Sequence, residues 1–160
     1  MSEWPEPVER VARALREGAG AGRIEEFPQG TPTAQAAAEA VGCEPAEIVK
    51  SIVIACDGRP VVALVPGDRR ADPAKVAAAL GAEKARVAGP EQVIQATGFE
   101  PGAVAPFPLP RVQAVLIERT LLQHELVWCG AGSPRHMLGI APAELLRLAR
   151  ARPFDLVRHG

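Results

Sequence analysis

The chain has 160 residues, an apolar share of 48%, an aromatic share of only 4% and a net charge of −1. This length is enough for one domain whose core needs no disulfides. The near-neutral charge gives no general basic field for non-specific nucleic-acid binding, and the scarcity of aromatic residues argues against a surface that stacks many bases. Any RNA contact is therefore expected to be local, to an end or to a few phosphates.

Cysteine usage and hydropathy predict a cytoplasmic protein without a membrane segment. Cys43, Cys56 and Cys129 are odd in number and follow no zinc-ligand spacing, which argues against a disulfide framework and favours a reducing compartment. No run approaches 18 apolar residues, and the N-terminus shows no basic segment followed by an apolar core.

Six segments predict helices, because apolar residues follow a capping residue or a proline, in three cases with a glycine at the far end. Thr31 or Thr33 can cap the second helix, and Asp72 can cap the fourth. The predicted helices cover residues 5–16, 34–41, 45–50, 73–80, 90–95 and 142–150.

Short apolar runs predict seven strands. The clearest pair flanks a turn at 57–60 and is apolar at nearly every position, so both faces of the sheet should be covered. Residues 97–110 contain two glycines and four prolines, but Phe99 and Phe107 would be wasted in a solvated linker, which predicts a packed loop. The predicted strands cover residues 51–56, 61–65, 85–88, 112–117, 126–129, 137–140 and 154–157.

This order of elements predicts one α/β (α+β) domain over residues 1–160. Its mixed, largely antiparallel sheet would form a barrel-like core with helices around it. Residues 1–24 would form an N-terminal helix and a linker, and residues 25–150 the core.

The residues themselves indicate a pocket. Gly130 and Gly132 follow an apolar strand, and glycines allow a backbone to come close to a ligand. Ser133 follows them, and His136 can act there as donor, acceptor or general base. Lys50 is expected at the end of the short helix, either as a snorkelling edge residue or as a charge at the pocket rim.

Several common catalytic motifs are absent. The sequence has no P-loop, dinucleotide fingerprint, nucleophile elbow or His-Glu-x-x-His helix, so it predicts no cofactor and no metal. Cys129 with His136 could form a thiol nucleophile and its base, but a cysteine in an apolar run usually acts as a small hydrophobe. Gly98 and Gly102 would by themselves be ordinary turn residues.

Five segments in one order resemble the YbaK family, also called the prolyl-tRNA synthetase-associated or editing domain family. The likeness covers roughly residues 25–150, nearly the whole chain, and implies the editing-domain fold. The segments are Thr-Pro-Thr-Ala at 31–34, Glu-Ile-Val-Lys-Ser-Ile-Val at 47–53, Val-Pro-Gly-Asp-Arg-Arg at 65–70, Thr-Gly-Phe-Glu-Pro-Gly at 97–102 with Pro106 and Phe107, and Gly-Ala-Gly-Ser-Pro-Arg-His at 130–136.

The resemblance implies a free-standing deacylase that removes a wrong amino acid, most commonly alanine or cysteine, from tRNA(Pro). Lys50 would hold the terminal adenosine or its phosphate, and both glycine segments would border the aminoacyl pocket. Glu118 stands where family members often carry an aspartate, which leaves an acidic role open. The implied catalytic residues are Lys50, Gly102 and His136; the implied substrate-binding residues are Thr31, Asp68, Thr97, Gly98, Phe99, Pro106, Phe107, Glu118, Gly130, Gly132 and Ser133.

The expected partners are the acceptor end of aminoacyl-tRNA and, transiently, prolyl-tRNA synthetase, with the oligomeric state left open. Ester hydrolysis needs a positioned water and donors for the developing oxyanion, and the backbone N–H groups of a glycine loop can supply those donors. The resemblance implies that the substrate's own 2′-hydroxyl assists by activating the water, which would explain the lack of a visible metal site. A small pocket would admit small side chains and exclude the larger cognate one. The alternative is a non-catalytic module that binds a tRNA 3′ end or an aminoacyl-like small molecule, because only Lys50 and neutral backbone groups offer obvious chemistry.

Overall fold

The computed structural model describes residues 4–159, which form five α-helices, eight β-strands and two short 3-10 turns. The helices are α1 (Glu6–Glu17), α2 (Ala34–Val41), α3 (Pro73–Leu80), α4 (Pro90–Thr97) and α5 (Pro142–Ala149), and the 3-10 turns are Pro45–Glu47 and Arg119–Gln123. The strands are β1 (Arg23–Glu26), β2 (Ile48–Cys56), β3 (Arg59–Pro66), β4 (Ala85–Val87), β5 (Ala114–Glu118), β6 (Val127–Gly130), β7 (His136–Ile140) and β8 (Arg152–Phe154).

One mixed sheet contains all of these strands. Its order is β1-β7-β6-β2-β3-β5-β8, and β4 pairs separately with β2. The β1–β7, β6–β7, β2–β3 and β2–β4 pairs are antiparallel, whereas β2–β6, β3–β5 and β5–β8 are parallel. The predicted class, a single compact α/β domain with a mixed sheet and surrounding helices, is confirmed.

The β2–β3 hairpin is the longest pairing in the sheet. Its turn is two residues long, between the paired Cys56 and Arg59, and has positive φ at both Asp57 (49°) and Gly58 (81°). Such turns match the twist of the strands they join, which is why an Asp-Gly pair serves here. The Asp57 carboxylate also accepts hydrogen bonds from the backbone N–H groups of the segment that leads into β4.

Both faces of the hairpin are covered, as its apolar pattern predicts. Val62 and Leu64 of β3 pack in the larger apolar cluster, together with α1 and the loop after α4. Val61 and Val65 point to the opposite face and pack in a second cluster with α3. Alternate residues of one strand therefore belong to two separate cores.

The helix boundaries follow their capping residues. Thr33, and not Thr31, caps α2, because its hydroxyl accepts a hydrogen bond from the Ala36 N–H. Gly42 ends the same helix in the left-handed conformation, which a glycine adopts without steric cost. Asp72 caps α3, which the proline at its first position favours.

Strand β1 corrects the predicted linker. Residues 23–26 were expected to belong to a linker and to the start of the core, but Arg23–Glu26 pair with β7 along the edge of the sheet. Ile24 is the only apolar residue among the four, so the segment has no alternating pattern that would predict a strand. Backbone pairing with β7 determines this strand.

The position of Lys50 also differs from the prediction. The 3-10 turn ends at Glu47, and β2 begins at Ile48, so Lys50 is a strand residue and does not end a helix. The β-branched Ile48 and Val49 favour the strand over a further helical turn. The packed loop is confirmed, because Phe99 is only 1% exposed.

Candidate active site

The candidate site lies where two strands separate along one edge of β2. Strand β3 occupies the other edge. On this edge β6 pairs only with Ile48 and Val49, and the β4 pairing begins at Ile54. Within the described residues, the β2 segment 50–52 therefore has no strand partner on this edge, and the Val53 carbonyl accepts a hydrogen bond from the Ala88 N–H just after β4. A gap in a sheet exposes backbone and side chains of the strand to a ligand.

A cavity of about 280 Å³ opens at this gap. It brings together Lys50, Gly102 and the loop between β6 and β7, which are far apart in the sequence. Its lining residues are Thr31, Pro32, Thr33, Ala34, Ala37, Ile48, Val49, Lys50, Ser51, Ile52, Gly102, Val104, Gly130, Ser133, His136 and Met137.

Lys50 is half-buried at this cavity. Its Nζ donates a hydrogen bond to the Arg69 carbonyl oxygen at 2.6 Å. Burial lowers the pKa of Lys50, and the nearby positive charge of Arg70 lowers it further, while Asp68 opposes the shift. Since the protonated ammonium is destabilised here, an anionic group bound beside it would interact favourably.

His136 lies in the cavity wall and is only 2% exposed. Its Nδ1 is 2.6 Å from the Ser133 Oγ, and that oxygen also accepts a hydrogen bond from the Arg135 N–H. The serine thereby fixes the orientation of the ring, and the direction of the Oγ–Nδ1 hydrogen bond determines which ring nitrogen carries the proton.

The other ring nitrogen of His136 has no hydrogen-bond partner within the described residues. Its Nε2 is 3.7 Å from the Glu26 Oε2, which is too long for a hydrogen bond. Burial lowers the pKa of His136, the charge of Arg135 adds to this effect and Glu26 opposes it, so the neutral ring is favoured and the Glu26 contact is not a full ion pair. A buried ring nitrogen without a partner is costly to the fold, and a bound ligand is one way to supply the partner.

Ser51 is a site residue that the sequence did not single out. Its Oγ is buried, lines the same cavity and has no hydrogen-bond partner within the described residues. The sequence did carry a signal for a polar site here, because this serine directly follows Lys50 and precedes the apolar run from Ile52 to Cys56. A hydroxyl in an apolar strand needs a partner, and a bound ligand can supply one.

Two glycines bring backbone to the cavity. Gly102 has a φ of +84°, and a Cβ built there would meet nothing within 4 Å. Gly130 is closely packed instead, since a Cβ would lie 3.1 Å from the Val104 carbonyl oxygen. Gly130 is therefore needed for the close approach of two backbones, whereas Gly102 leaves open space at the cavity.

The first half of the 97–102 segment does not line the cavity. The Thr97 hydroxyl donates to the Val93 carbonyl and accepts from the Phe99 N–H, which closes the C-terminal end of α4. Gly98 has a φ of +75°, and its carbonyl accepts a hydrogen bond from Arg10 of α1. Phe99 is buried in the core under the Arg10 guanidinium. These residues hold the loop, and only Gly102 reaches the cavity.

Four further residues from the predicted set, besides Glu118, lie outside the cavity lining. Pro106 and Phe107 are buried in the packed loop. Gly132 packs on the first turn of α1, where a Cβ would be 2.8 Å from the Pro7 backbone. Asp68 is exposed and acts on Lys50 only through its charge.

Glu118 has a structural role in this fold. It is 1% exposed, and its Oε2 accepts a hydrogen bond from the Thr120 N–H at the start of a 3-10 turn. Its Oε1 accepts one from the Leu156 N–H at 2.8 Å. Both carboxylate oxygens thus hold backbone at the end of β5, and Glu118 does not line the cavity.

The Cys129 thiol is fully buried in the main apolar cluster and is not a lining residue. Burial raises the pKa of this thiol far above its ordinary value, which suppresses the thiolate that a nucleophile requires. The geometry disfavours a thiol hydrolase built on Cys129 and His136.

Residues 4–159 contain neither a cluster of metal-binding side chains nor a membrane-spanning helix. No group of three or more His, Cys, Asp or Glu side chains in that range is placed to hold a metal ion. None of the helices there has the length and hydropathy needed to cross a membrane.

A family model described as an aminoacyl-tRNA editing domain matches residues 28–148. The chain belongs to the aminoacyl-tRNA editing domain family. The resemblance inferred from the five segments is thus confirmed. Membership in this family, with the structural likeness below, assigns the chain to the aminoacyl-tRNA deacylases.

Individual members of the family are similar over most of the chain. A solved structure of a candidate trans-editing enzyme for prolyl-tRNA synthetase has a TM-score of 0.91 at 34% identity, covering 98% of this chain and all of that one. The Bacillus subtilis (strain 168) protein YwhH is 32% identical over 76% of this chain and 78% of its own length.

Proline–tRNA ligase from Desulfitobacterium hafniense shares the same region. It is 31% identical over 82% of this chain, but the match covers only 23% of the ligase. The chain is therefore similar to one portion of a much longer protein, and this similarity does not extend to the rest of the ligase.

Proposed function

We propose that this editing-domain protein hydrolyses alanyl- or cysteinyl-tRNA(Pro) in trans, by positioning water and the terminal adenosine without a metal ion. One observation carries the proposal, namely that a single cavity gathers Lys50, Gly102, Ser133 and His136. The candidate trans-editing neighbour for prolyl-tRNA synthetase supports the choice of tRNA. The same proposal places residues 1–160 in the cytoplasm as one functional domain that meets prolyl-tRNA synthetase transiently.

Lys50 is the substrate-holding residue in this mechanism. Lys50 lines the same cavity as several apolar side chains. If its ammonium binds a phosphate or the ribose of the terminal adenosine, the attached aminoacyl group can lie against those apolar side chains. The ammonium is already anchored by the Arg69 carbonyl, which reduces the cost of ordering it on binding.

Backbone donors serve the developing oxyanion. The N–H groups of Gly102 and Val104 donate to no acceptor within the described residues, and both residues line the cavity. Donors fixed in a rigid loop stabilise a tetrahedral intermediate without reorganisation. The attacking water and the substrate's own 2′-hydroxyl complete the reacting set.

His136 positions the water or the 2′-hydroxyl. Its neutral ring is favoured at neutral pH, and its Nε2 is free to accept or donate a hydrogen bond according to the tautomer set by Ser133. This is a positioning role for a histidine, and it requires no covalent intermediate.

The cavity walls favour a small apolar side chain. Ala34, Ala37, Ile48 and Met137 supply aliphatic surface to the cavity wall, and no carboxylate of residues 4–159 lines it. Such walls discriminate by size, because a pocket that fits alanine excludes larger side chains sterically. The same pocket discriminates only weakly against side chains smaller than alanine or cysteine, because a smaller side chain still fits.

A panel of mischarged tRNAs tests the proposal. We expect hydrolysis of alanyl- or cysteinyl-tRNA(Pro) and slow or no hydrolysis of prolyl-tRNA(Pro), and the rate should survive EDTA treatment. Lys50→Ala should lower kcat/KM by about 10² or more, because the substrate loses its positioning contact. Lys84→Ala is the matched control, since Lys84 is an exposed lysine outside this cavity. An unchanged rate for Lys50→Ala would reject the role of that residue.

A non-catalytic binding module is the second candidate. It is favoured by one observation, that among the described residues Lys50 and His136 are the only titratable side chains lining the cavity. A module of this kind would gain thermal stability with an aminoacyl-adenosine analogue but would turn over no charged tRNA in the panel.

A further inference from the structure

A second cavity, of about 250 Å³, adjoins the candidate site. The two cavities share Lys50 and Ile52, so they meet at the same short segment of β2. The remaining lining residues of the second cavity are Arg70, Ala71, Pro73, Val87 and Arg158. We call this second cavity the basic groove.

The chain holds the cations of the basic groove through backbone contacts. The Arg158 N–H donates a hydrogen bond to the Arg70 carbonyl at 2.9 Å, and Ala71 pairs with Val157 in an isolated β-bridge. The Lys50 ammonium donates to the Arg69 carbonyl on the same segment. Residues from β2, from the loop after β3 and from the C-terminal segment are therefore fixed around one groove.

The two arginines of the basic groove have no acidic partner within the described residues. Neither Arg70 nor Arg158 takes part in an ion pair there, and both side chains are exposed. The nearby Asp155 is already bound by Lys75 and faces His159. In a chain whose net charge is −1, three cations around one groove are a local concentration of positive charge.

We propose that Arg70 and Arg158 bind the phosphodiester groups of the nucleotides that precede the terminal adenosine, so that the single-stranded acceptor end runs from the aminoacyl cavity past Lys50 and along the basic groove. This inference rests on the proposed function and adds the path of the RNA. Guanidinium groups pair with phosphate oxygens through two parallel hydrogen bonds.

The lining of the basic groove indicates how the RNA would be read. No aromatic side chain of the described residues lines it, so the groove offers no ring from residues 4–159 for base stacking. Val87 is 55% exposed and, with Pro73, offers an apolar floor that a ribose can cover. Contacts to phosphate and sugar position a strand without reading its sequence. The groove therefore supports affinity for the acceptor end, while the first cavity selects the amino acid.

Two substrates test the inference, namely alanyl-tRNA(Pro) and 3′-O-alanyl-adenosine, which lacks the preceding phosphates. Arg70→Ala and Arg158→Ala should each lower kcat/KM on the charged tRNA by about three- to tenfold, mainly through KM, and much less on alanyl-adenosine. The salt dependence of log(kcat/KM) on tRNA should become shallower by about 0.7 for each arginine removed. Arg13→Ala, at an exposed position of α1 that lines neither cavity, is the control.

The outcomes separate this inference from the proposed function. If wild-type protein hydrolyses both substrates and the arginine variants match it on tRNA, the groove is not on the RNA path. Equal losses on both substrates would also overturn the inference, because the arginines would then act on the aminoacyl group or on folding. If wild-type protein hydrolyses neither substrate, the proposed function itself fails.

Discussion

The two glycine segments, residues 97–102 and residues 130–136, contribute very differently to the cavity. The second supplies Gly130, Ser133 and His136 to the lining, whereas the first supplies only Gly102. In the first segment Thr97 and Gly98 are used to end α4, and Phe99 fills the core. A motif therefore marks a region of the chain, and the local packing decides which of its residues face a ligand.

The largest effect that this comparison predicts is on stability, at Gly132. A Cβ there would lie 2.8 Å from both the C and O atoms of Pro7, and φ is +97°. Because both contacts are backbone atoms of α1, they cannot move aside cheaply. Gly132→Ala should lower the free energy of unfolding by about 2–4 kcal/mol in chemical denaturation.

The control for Gly132 is Gly42→Ala at the end of α2. Gly42 has a φ of +78°, and its Cβ would meet nothing within 4 Å. The Gly42→Ala variant should lose only about 1 kcal/mol of unfolding free energy, which is the cost of a positive φ for a residue with a Cβ. Equal losses at the two positions would show that the contact with α1 is not tight.

The next effect is on activity, at Gly102. A Cβ added there enters open space at the cavity, beside the proposed oxyanion donors. Gly102→Ala should lower kcat/KM for deacylation by about tenfold, because the substrate is displaced from its reactive position. The stability loss should remain near 1 kcal/mol, which is the cost of the positive φ alone.

Gly98→Ala is the matched variant in the same segment. Its Cβ would meet the Nη1 atom of Arg10 at 2.7 Å, the tip of a flexible side chain, and Gly98 is remote from the cavity lining. The account predicts a similar loss of stability without a comparable loss of kcat/KM. A larger effect on activity at Gly98 than at Gly102 would reverse the comparison.

The smallest predicted effect is the pH dependence of stability from His136. Burial, as the main cause, lowers the pKa of this ring in the folded state below its ordinary value of 6.5. As the pH falls below 6.5 the unfolded chain therefore binds the proton first, so the free energy of unfolding decreases from that pH down toward the folded pKa. Above pH 6.5 this contribution is constant.

A comparison of wild type with His136→Gln isolates that contribution. The wild-type free energy of unfolding should fall more steeply below pH 6.5 than that of the variant, in denaturation curves recorded across the range. The other histidines are common to both proteins, so they cancel in the difference. Parallel curves would show that the ring titrates as it does in the unfolded chain.

Local signals in the sequence predict most of the fold. Thr33, Asp72 and the Asp-Gly turn determine boundaries through contacts with residues a few positions away. Asp72 is confirmed as a cap, Thr33 is the cap of the two threonines that were open, and the turn predicted over 57–60 is confirmed at 57–58, while residues 59 and 60 belong to β3. Strand β1 depends on pairing with β7, which lies more than a hundred residues later, and its own residues carry no pattern. A strand that forms only because a distant strand pairs with it cannot be predicted from its own residues.

The candidate site is predictable only in part, for a similar reason. Lys50 and the 130–136 segment are found from the residues themselves, and the family resemblance adds their implied roles. Ser51 belongs to the site because β6 and β4 leave a gap beside it, which is a property of the sheet. Glu118 shows the reverse case, since an acidic residue at a matching position is occupied in holding backbone.

The most direct test of the account is an NMR titration of the protein with a hydrolysis-resistant, amide-linked 3′-alanyl-adenosine analogue. The account predicts that the backbone amide signals of Gly102, Gly130 and Ser133 shift on binding, while those of Gly98 and Phe99 stay in place. Shifts centred on Gly98 and Phe99, or no saturable shift at Gly102 and Ser133, would contradict the claim that this cavity receives the aminoacyl group.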